Sequence, residues 1–262
     1  ADYTVDQSVG AAASTATVTG LEDGERYYAR VQATYTGADQ TPSPVSNEVD
    51  TITDLPDPYI DSTDFSTQRE ATINYTLNDD STDGDVLVER STDGGSTWTT
   101  VGTVTDLSAT TFTDTGLLDG EVYGYRLTRR TDHASAESNI LGGQTILPAN
   151  SDVDVVDAQG DSVTFGWEVA ANNGTQRVEY RPTSESGSWT AEATGLSLST
   201  TQHTTQADLV DGDEFELRTV VETEHTSTVD ETAADEEVAG AGVLETHDEA
   251  TATYGETKIF KQ

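Results

Sequence analysis

Asp79, Ser81, Asp83 and Asp85 alternate through the stretch NDDSTDGD, with Gly84 just before the last of them. Hard oxygen donors at every second place, with a glycine at the sharp turn, are what a loop needs to wrap a calcium ion. The pattern is partial, because the twelfth place, where a bidentate glutamate closes the shell, holds Arg90. These four residues are the candidate metal ligands, for Ca2+; no other cofactor is expected. The competing reading is a solvated acidic loop. More carboxylates stand at two junctions: Asp50, Asp54, Asp57 and Asp61 at one, Asp152, Asp154 and Asp157 at the next. Cations there would stiffen the chain. His133, His203, His225 and His247 fall on different segments, and neither H-E-x-x-H nor G-x-S-x-G occurs. Cysteine is absent, which removes disulfides, thiolate metal sites and a cysteine nucleophile. With 49 acidic residues, neighbouring carboxylates arise by chance and mark no acid–base pair. No catalytic residue emerges, and the chain reads as a non-enzyme.

Ser91–Trp98, STDGGSTW, fits S-x-D-x-G-x-T-W and resembles the Asp box of sialidase-type β-propellers. The resemblance raises sugar binding. The local chemistry favours a hairpin: Asp93-Gly94-Gly95 tolerates positive φ, Ser91 and Thr97 can bond the turn backbone, and Trp98 anchors the next strand. The motif occurs once, whereas a propeller repeats it in every blade; the matching turn further on is TSESGSW, Thr183–Trp189. Two N-x-[ST] sequons stand at Asn74 and Asn173. Asn74 falls in a predicted strand; Asn173, in an ANNG turn, is the better acceptor.

The chain has 262 residues, 49 acidic against 12 Lys+Arg, and a formal charge of -37. The acidity runs from end to end. Such a charge opposes a compact state unless salt screens it, and the Debye length falls to about 3 Å at 1 M. Acidity throughout, abundant threonine and lysines only at Lys258 and Lys261 resemble a protein of an extreme halophile. No basic patch is present to neutralise phosphates, so nucleic acid is not an expected partner. No apolar run approaches the ~20 residues of a membrane-spanning helix, so membrane insertion is not expected.

These groups must be held by something, and the repeats say what. GLEDGERYYARVQA (Gly20–Ala33) recurs as GLLDGEVYGYRLTR (Gly116–Arg129) and, worn, as DLVDGDEFELRTVV (Asp208–Val221). Leu21, Leu117 and Leu209 align; so do Gly24, Gly120 and Gly212, then Tyr27, Tyr123 and Phe215, then Arg30, Arg126 and Arg218. That spacing is one small domain per repeat. Each copy reads as a turn followed by a period-two strand. Tyr27, Ala29, Val31 and Ala33 would share one face in the first; Tyr123, Tyr125 and Leu127 would face inward in the second, Phe215, Leu217 and Val221 in the third. Arg30, Arg126 and Arg218 would then face outward. Short strands at ~8–12 residue spacing fill the rest, which predicts a β-sandwich or barrel.

The run L-x-D-G-x-x-Y-x-A-R-V-x-A around Tyr27, Trp167 in a second strand and SPVSNEV (Ser43–Val49) at a repeat's end look like fibronectin type III modules. The resemblance implies an all-β fold of tandem seven-stranded sandwiches in a rod. Residues 1–53 would be the C-terminal half of an incomplete first module, 57–147 the second, 151–240 the third, and 241–262 a tail that could add a strand to a sheet. It implies corner tyrosines at Tyr27 and Tyr123, whose hydroxyls bond nearby backbone; Phe215 cannot. Tyr75 stands at the second module's strand-B tryptophan place. The missing strands of the first module imply a longer protein or a second chain that completes the sheet.

The functional expectation is a structural and adhesive array, a component of a virion tail or tail fibre of a haloarchaeal virus. The alternatives are a cell-surface or filament adhesin and spacer modules of a secreted polysaccharide-degrading enzyme. Expected partners are other copies of the chain, other structural proteins of the same assembly, and a host-surface glycoprotein or glycan. The expected setting is extracellular or virion, at high salt.

Overall fold

The computed structural model describes residues 5–34, 41–159, 162–182, 188–205, 214–229 and 235–238. Among them there is no helix. The strands are β1 (Arg26–Ala29), β2 (Val49–Ile52), β3 (Tyr59–Asp64), β4 (Glu70–Thr76), β5 (Asp85–Ser91), β6 (Thr99–Val104), β7 (Thr111–Thr115), β8 (Val122–Arg130), β9 (Ser135–Glu137) and β10 (Leu141–Gln144). They continue with β11 (Ser151–Gln159), β12 (Ser162–Glu168), β13 (Thr175–Pro182), β14 (Thr190–Leu196), β15 (Gln202–Thr204), β16 (Glu214–Glu222), β17 (Ser227–Val229) and β18 (Asp235–Val238).

The second repeat is a pair of sheets, β3-β4-β7 and β10-β8-β5-β6, with β9 also on β8. The third repeats the order: β11-β12-β15, and β14-β13-β16-β17 with β18 also on β16. Alternation builds both cores, as the sequence predicts. In β4 every second residue, Ala71, Ile73 and Tyr75, is buried; in β8 it is Tyr123, Tyr125, Leu127 and Arg129. Val163, Phe165 and Trp167 of β12 pack with Val178, Phe215 and Leu217 in the third repeat. Two strands more than expected are present because the last strand of each sandwich is in two pieces. Between β9 and β10, Ser138 exchanges bonds with Leu127, and the Asn139 amide pairs with both backbone groups of Ile60.

The recurrent arginines do face outward, and Arg126 and Arg218 each lie over a tryptophan. Arg126 stacks on Trp98 at 4.7 Å, and Arg181 and Arg218 stack on Trp189 at 4.6 and 4.2 Å. Glu89 and Glu137 hold Arg126, and Glu179 holds Arg218. The first repeat differs. Its described strands are the two-stranded sheet β1-β2, and Ala29, Val31 and Ala33 are exposed, with Val31 at 72%. The period-two pattern is there, but among the described residues no second sheet turns it into a core.

The chain groups into two compact units. One holds residues 1–63, 72–113 and 124–142; the other holds 64–71, 114–123 and 143–262.

Candidate functional site at the joints between repeats

The L-x-D-G turn that opens each repeat's main strand is built twice in the same way. The Tyr27 hydroxyl accepts the Glu22 N–H at 2.9 Å, and the Tyr123 hydroxyl accepts the Leu118 N–H at 3.0 Å. These are the corner bonds the resemblance implies. Behind each corner a threonine ties the strand to the linker. Thr53 Oγ1 accepts from the Glu25 N–H and donates to the Glu22 carbonyl; Thr145 does the same with Glu121 and Leu118. The glycine N–H then reaches the linker itself, Gly24 to the Asp54 carbonyl and Gly120 to that of Ile146.

Each corner also grips the following repeat. Gly24 and Gly120 have φ of +67° and +70°. A Cβ on Gly24 would lie 3.0 Å from the Thr131 methyl and 3.1 Å from Leu55; on Gly120, 2.9 Å from the Thr223 methyl and 3.2 Å from Leu147. Glycine is therefore required both for the left-handed turn and for the close approach. Thr131 Oγ1 donates to the Gly24 carbonyl at 2.7 Å, and Thr223 Oγ1 to the Gly120 carbonyl at 3.0 Å. The linker leucines are buried at both places, and Leu147 packs with Ala171 and Val221. The residue before each glycine completes a reciprocal pair. Asp23 N–H donates to Asp80 Oδ1 while Asp80 N–H donates to Asp23 Oδ2. Asp119 N–H donates to Asn172 Oδ1, and Asn172 N–H to Asp119 Oδ2, both at 2.8 Å.

The second joint carries more. Arg69 reaches the fully buried Asp119 carboxylate through Nε and Nη2, and the Ala170 carbonyl at 2.7 Å. Arg69 itself has φ +62°, a strained backbone state for a side-chain-bearing residue. Asn173 Nδ2 donates to the Asp119 carbonyl and to Glu121 Oε1. His225 Nε2 faces the Glu121 carboxylate at 3.5 Å. Sequence reasoning took L-x-D-G for a turn alone and missed its grip on the next repeat. The available signal was the shared spacing of 92 residues between Leu55-Pro56 and Leu147-Pro148 and between Thr131 and Thr223.

The sequence-predicted cation loop lies beside the first joint, and its oxygens point at arginines. The Arg129 guanidinium is fully buried. Its Nε and Nη2 meet Asp79, Nη1 donates to the Asp83 and Arg130 carbonyls, and Nη2 also donates to the Ser81 carbonyl. All five N–H donors are used. Asp85 takes Arg130 instead, and that contact lowers the Asp85 pKa. The structure thus brings Asp79, Ser81 and Asp83 around one cation, a guanidinium, and turns Asp85 away to a second. Among the described residues no three His, Asp or Glu side chains gather as a metal-binding set.

In STDGGSTW, Asp93 accepts from the Thr97 hydroxyl at 2.6 Å, the Thr97 N–H at 2.8 Å and the Ser91 hydroxyl at 2.7 Å. The Thr97 bonds, then the Ser91 bond, pull its pKa down to about 2. Gly94 and Gly95 take positive φ as a hairpin requires. The carboxylate is spent on its own turn. The sequons stand otherwise than the sequence suggests: Asn173 commits its amide nitrogen to the joint, so a glycan there and the joint exclude each other. Asn74 Nδ2 donates to Ser62 Oγ. The tail 241–262, with His247, Lys258, Phe260 and Lys261, lies outside the described residues, as do Leu209 and Gly212.

A two-domain fibronectin type III segment of chicken tenascin superposes with a TM-score of 0.54 at 16% identity, over 66% of this chain and 98% of that one. The fold is that of tandem fibronectin type III modules. The chicken CNTN1 FN1-FN3 domains also align, with a TM-score of 0.33 at 14% identity, over 85% of this chain and 78% of that one. No family model matches the sequence, and no curated protein does.

Proposed function

We propose that this chain is a non-enzymatic spacer and adhesion array whose working parts are its module joints. The carrying observation is that the same corner, glycine and threonine, with a reciprocally bonded pair in the same place, occur at both joints. A module that merely decorates an enzyme has no need of a duplicated joint; a chain that sets distance between two attached bodies does. The acidity of -37 supports a high-salt setting, extracellular or on a virion. Within that reading we favour a tail or tail-fibre component of a haloarchaeal virus, working with copies of itself or neighbouring structural proteins and touching a host-surface glycoprotein or glycan. A cell-surface adhesin and a spacer of a secreted polysaccharide-degrading enzyme are the rivals. Immunogold labelling of a producing culture, fractionated into virions, envelopes and medium, separates the three. Label along virion tails is the expected result. Label confined to envelopes, or co-purifying with polysaccharide-cleaving activity in the medium, refutes the tail reading. Glycan turnover by the chain itself, abolished by Asp93→Ala, refutes the non-enzymatic reading.

A further inference from the structure

The two joints share a plan and differ in charge. We propose that the first joint is a salt-gated hinge and the second a permanent lock. In the first, the reciprocal pair is two carboxylates, half-buried Asp23 and exposed Asp80. Among the described residues no cationic side chain bonds to either. The nearby cations are already taken: Arg129 by Asp79, and Arg130 by Asp85. Glu22 and Glu25 flank Asp23 and add to the repulsion. Across the joint itself stand Thr131 on the Gly24 carbonyl and the two Asp–Asp bonds.

In the second joint the matching pair is Asp119 and a neutral Asn172. Asp119 is fully buried and neutralised by Arg69, whose other Nη2 bond reaches across to Ala170. Asn173 and Thr223 add three more crossing bonds. Like charges that face each other repel when unscreened, and exposed ones respond to salt far more than buried, paired ones. Closing the first joint therefore requires salt, and closing the second does not. This difference belongs to the chain and stands whichever setting the array works in.

The chain has no cysteine, so two introduced ones carry spin labels without interference. Labels at Val49 and Thr103 report the first joint, and labels at the exposed Thr67 and Gln202 the second. As chloride salt is raised from about 0.1 M, where the Debye length is about 10 Å, past 1 M, where it is about 3 Å, the first distance distribution should narrow. The second should already be narrow. Sodium and potassium chloride should act alike. Asp80→Asn, which gives the first joint the second's pairing, should narrow the first distribution at low salt. Equal widths at low salt, or closure of the first joint by trace calcium with no response to monovalent salt, overturns the inference. So does an Asp80→Asn chain that melts as the parent does yet keeps the parent's salt response.

Discussion

Asp79→Ala removes the carboxylate that meets the buried guanidinium of Arg129. What remains around that cation is the carbonyl oxygens of Ser81, Asp83 and Arg130, with Asp85 held off by Arg130. Arg129 is fully buried and the Asp79 side chain is 2% exposed, so water does not replace the lost charge. Breaking such a pair from one side costs about 3–5 kcal/mol, because a charge stays buried without its partner. A domain of this size holds only ~5–15 kcal/mol in all. At about 4–8 °C per kcal/mol, the second module should melt at least about 12 °C lower. Hydrogen exchange at the amides of β5 and β8, in the full chain at molar potassium chloride, isolates that module. Run with calcium and with a chelator, it also separates two chemistries. An arginine cage loses stability equally in both; a calcium loop loses it only where calcium had been present. The double variant Asp79→Leu/Arg129→Met, which removes both charges, should recover most of the loss. A cost below about 1 kcal/mol, or one that appears only with calcium, refutes the cage.

Two tyrosines on inward faces should respond oppositely. Tyr123→Phe removes the bond from Leu118 N–H and should cost about 1 kcal/mol in urea unfolding, whereas Tyr75, whose buried hydroxyl meets no partner among the described residues, should become Phe at no cost or with a gain. Asp93, with its folded pKa at about 2 against the ordinary 3.8, adds stability that is fully present above the ordinary value and lost as pH falls through about 2. Carboxyl-carbon NMR should show that midpoint and the Thr97 amide moving with it; a midpoint near the ordinary value counts against the turn. Gly120→Ala should cost more than the ~1–2 kcal/mol of a left-handed alanine, because its Cβ meets the Thr223 methyl at 2.9 Å; adding Thr223→Ala should restore the contact part and leave the backbone part.

The strands were legible because alternation is a local signal: β4, β8, β12 and β16 each show it over four or more residues. The repeat of Tyr27 in Tyr123, with Phe215 as the exception, made the corner legible too. The arginine cage was legible in principle and missed. Continuing the inward face of β8 from Tyr123 through Leu127 puts Arg129 inside, and an inward arginine demands an acid. Reading Asp79–Asp85 as a self-contained loop hid that demand, since Asp79 and Arg129 lie 50 residues apart. The joints were hidden for a different reason. Asp23, Gly24, Asp80 and Thr131 look like ordinary turn residues singly, and their partnership exists only across a linker.

The reciprocal pair at each joint also gives the chain a direction. The corner residues Asp23-Gly24 sit on one module, and the receiving residues Asp80 and Thr131 on the next, never the reverse. Such a head-to-tail contact has no two-fold partner and need not close on itself. Duplicating one module duplicates both its donor and its receiver, so a lineage can lengthen the array by a fixed increment without inventing a contact. Substituting Asn for Asp at the receiving place then sets, joint by joint, where the lengthened array bends.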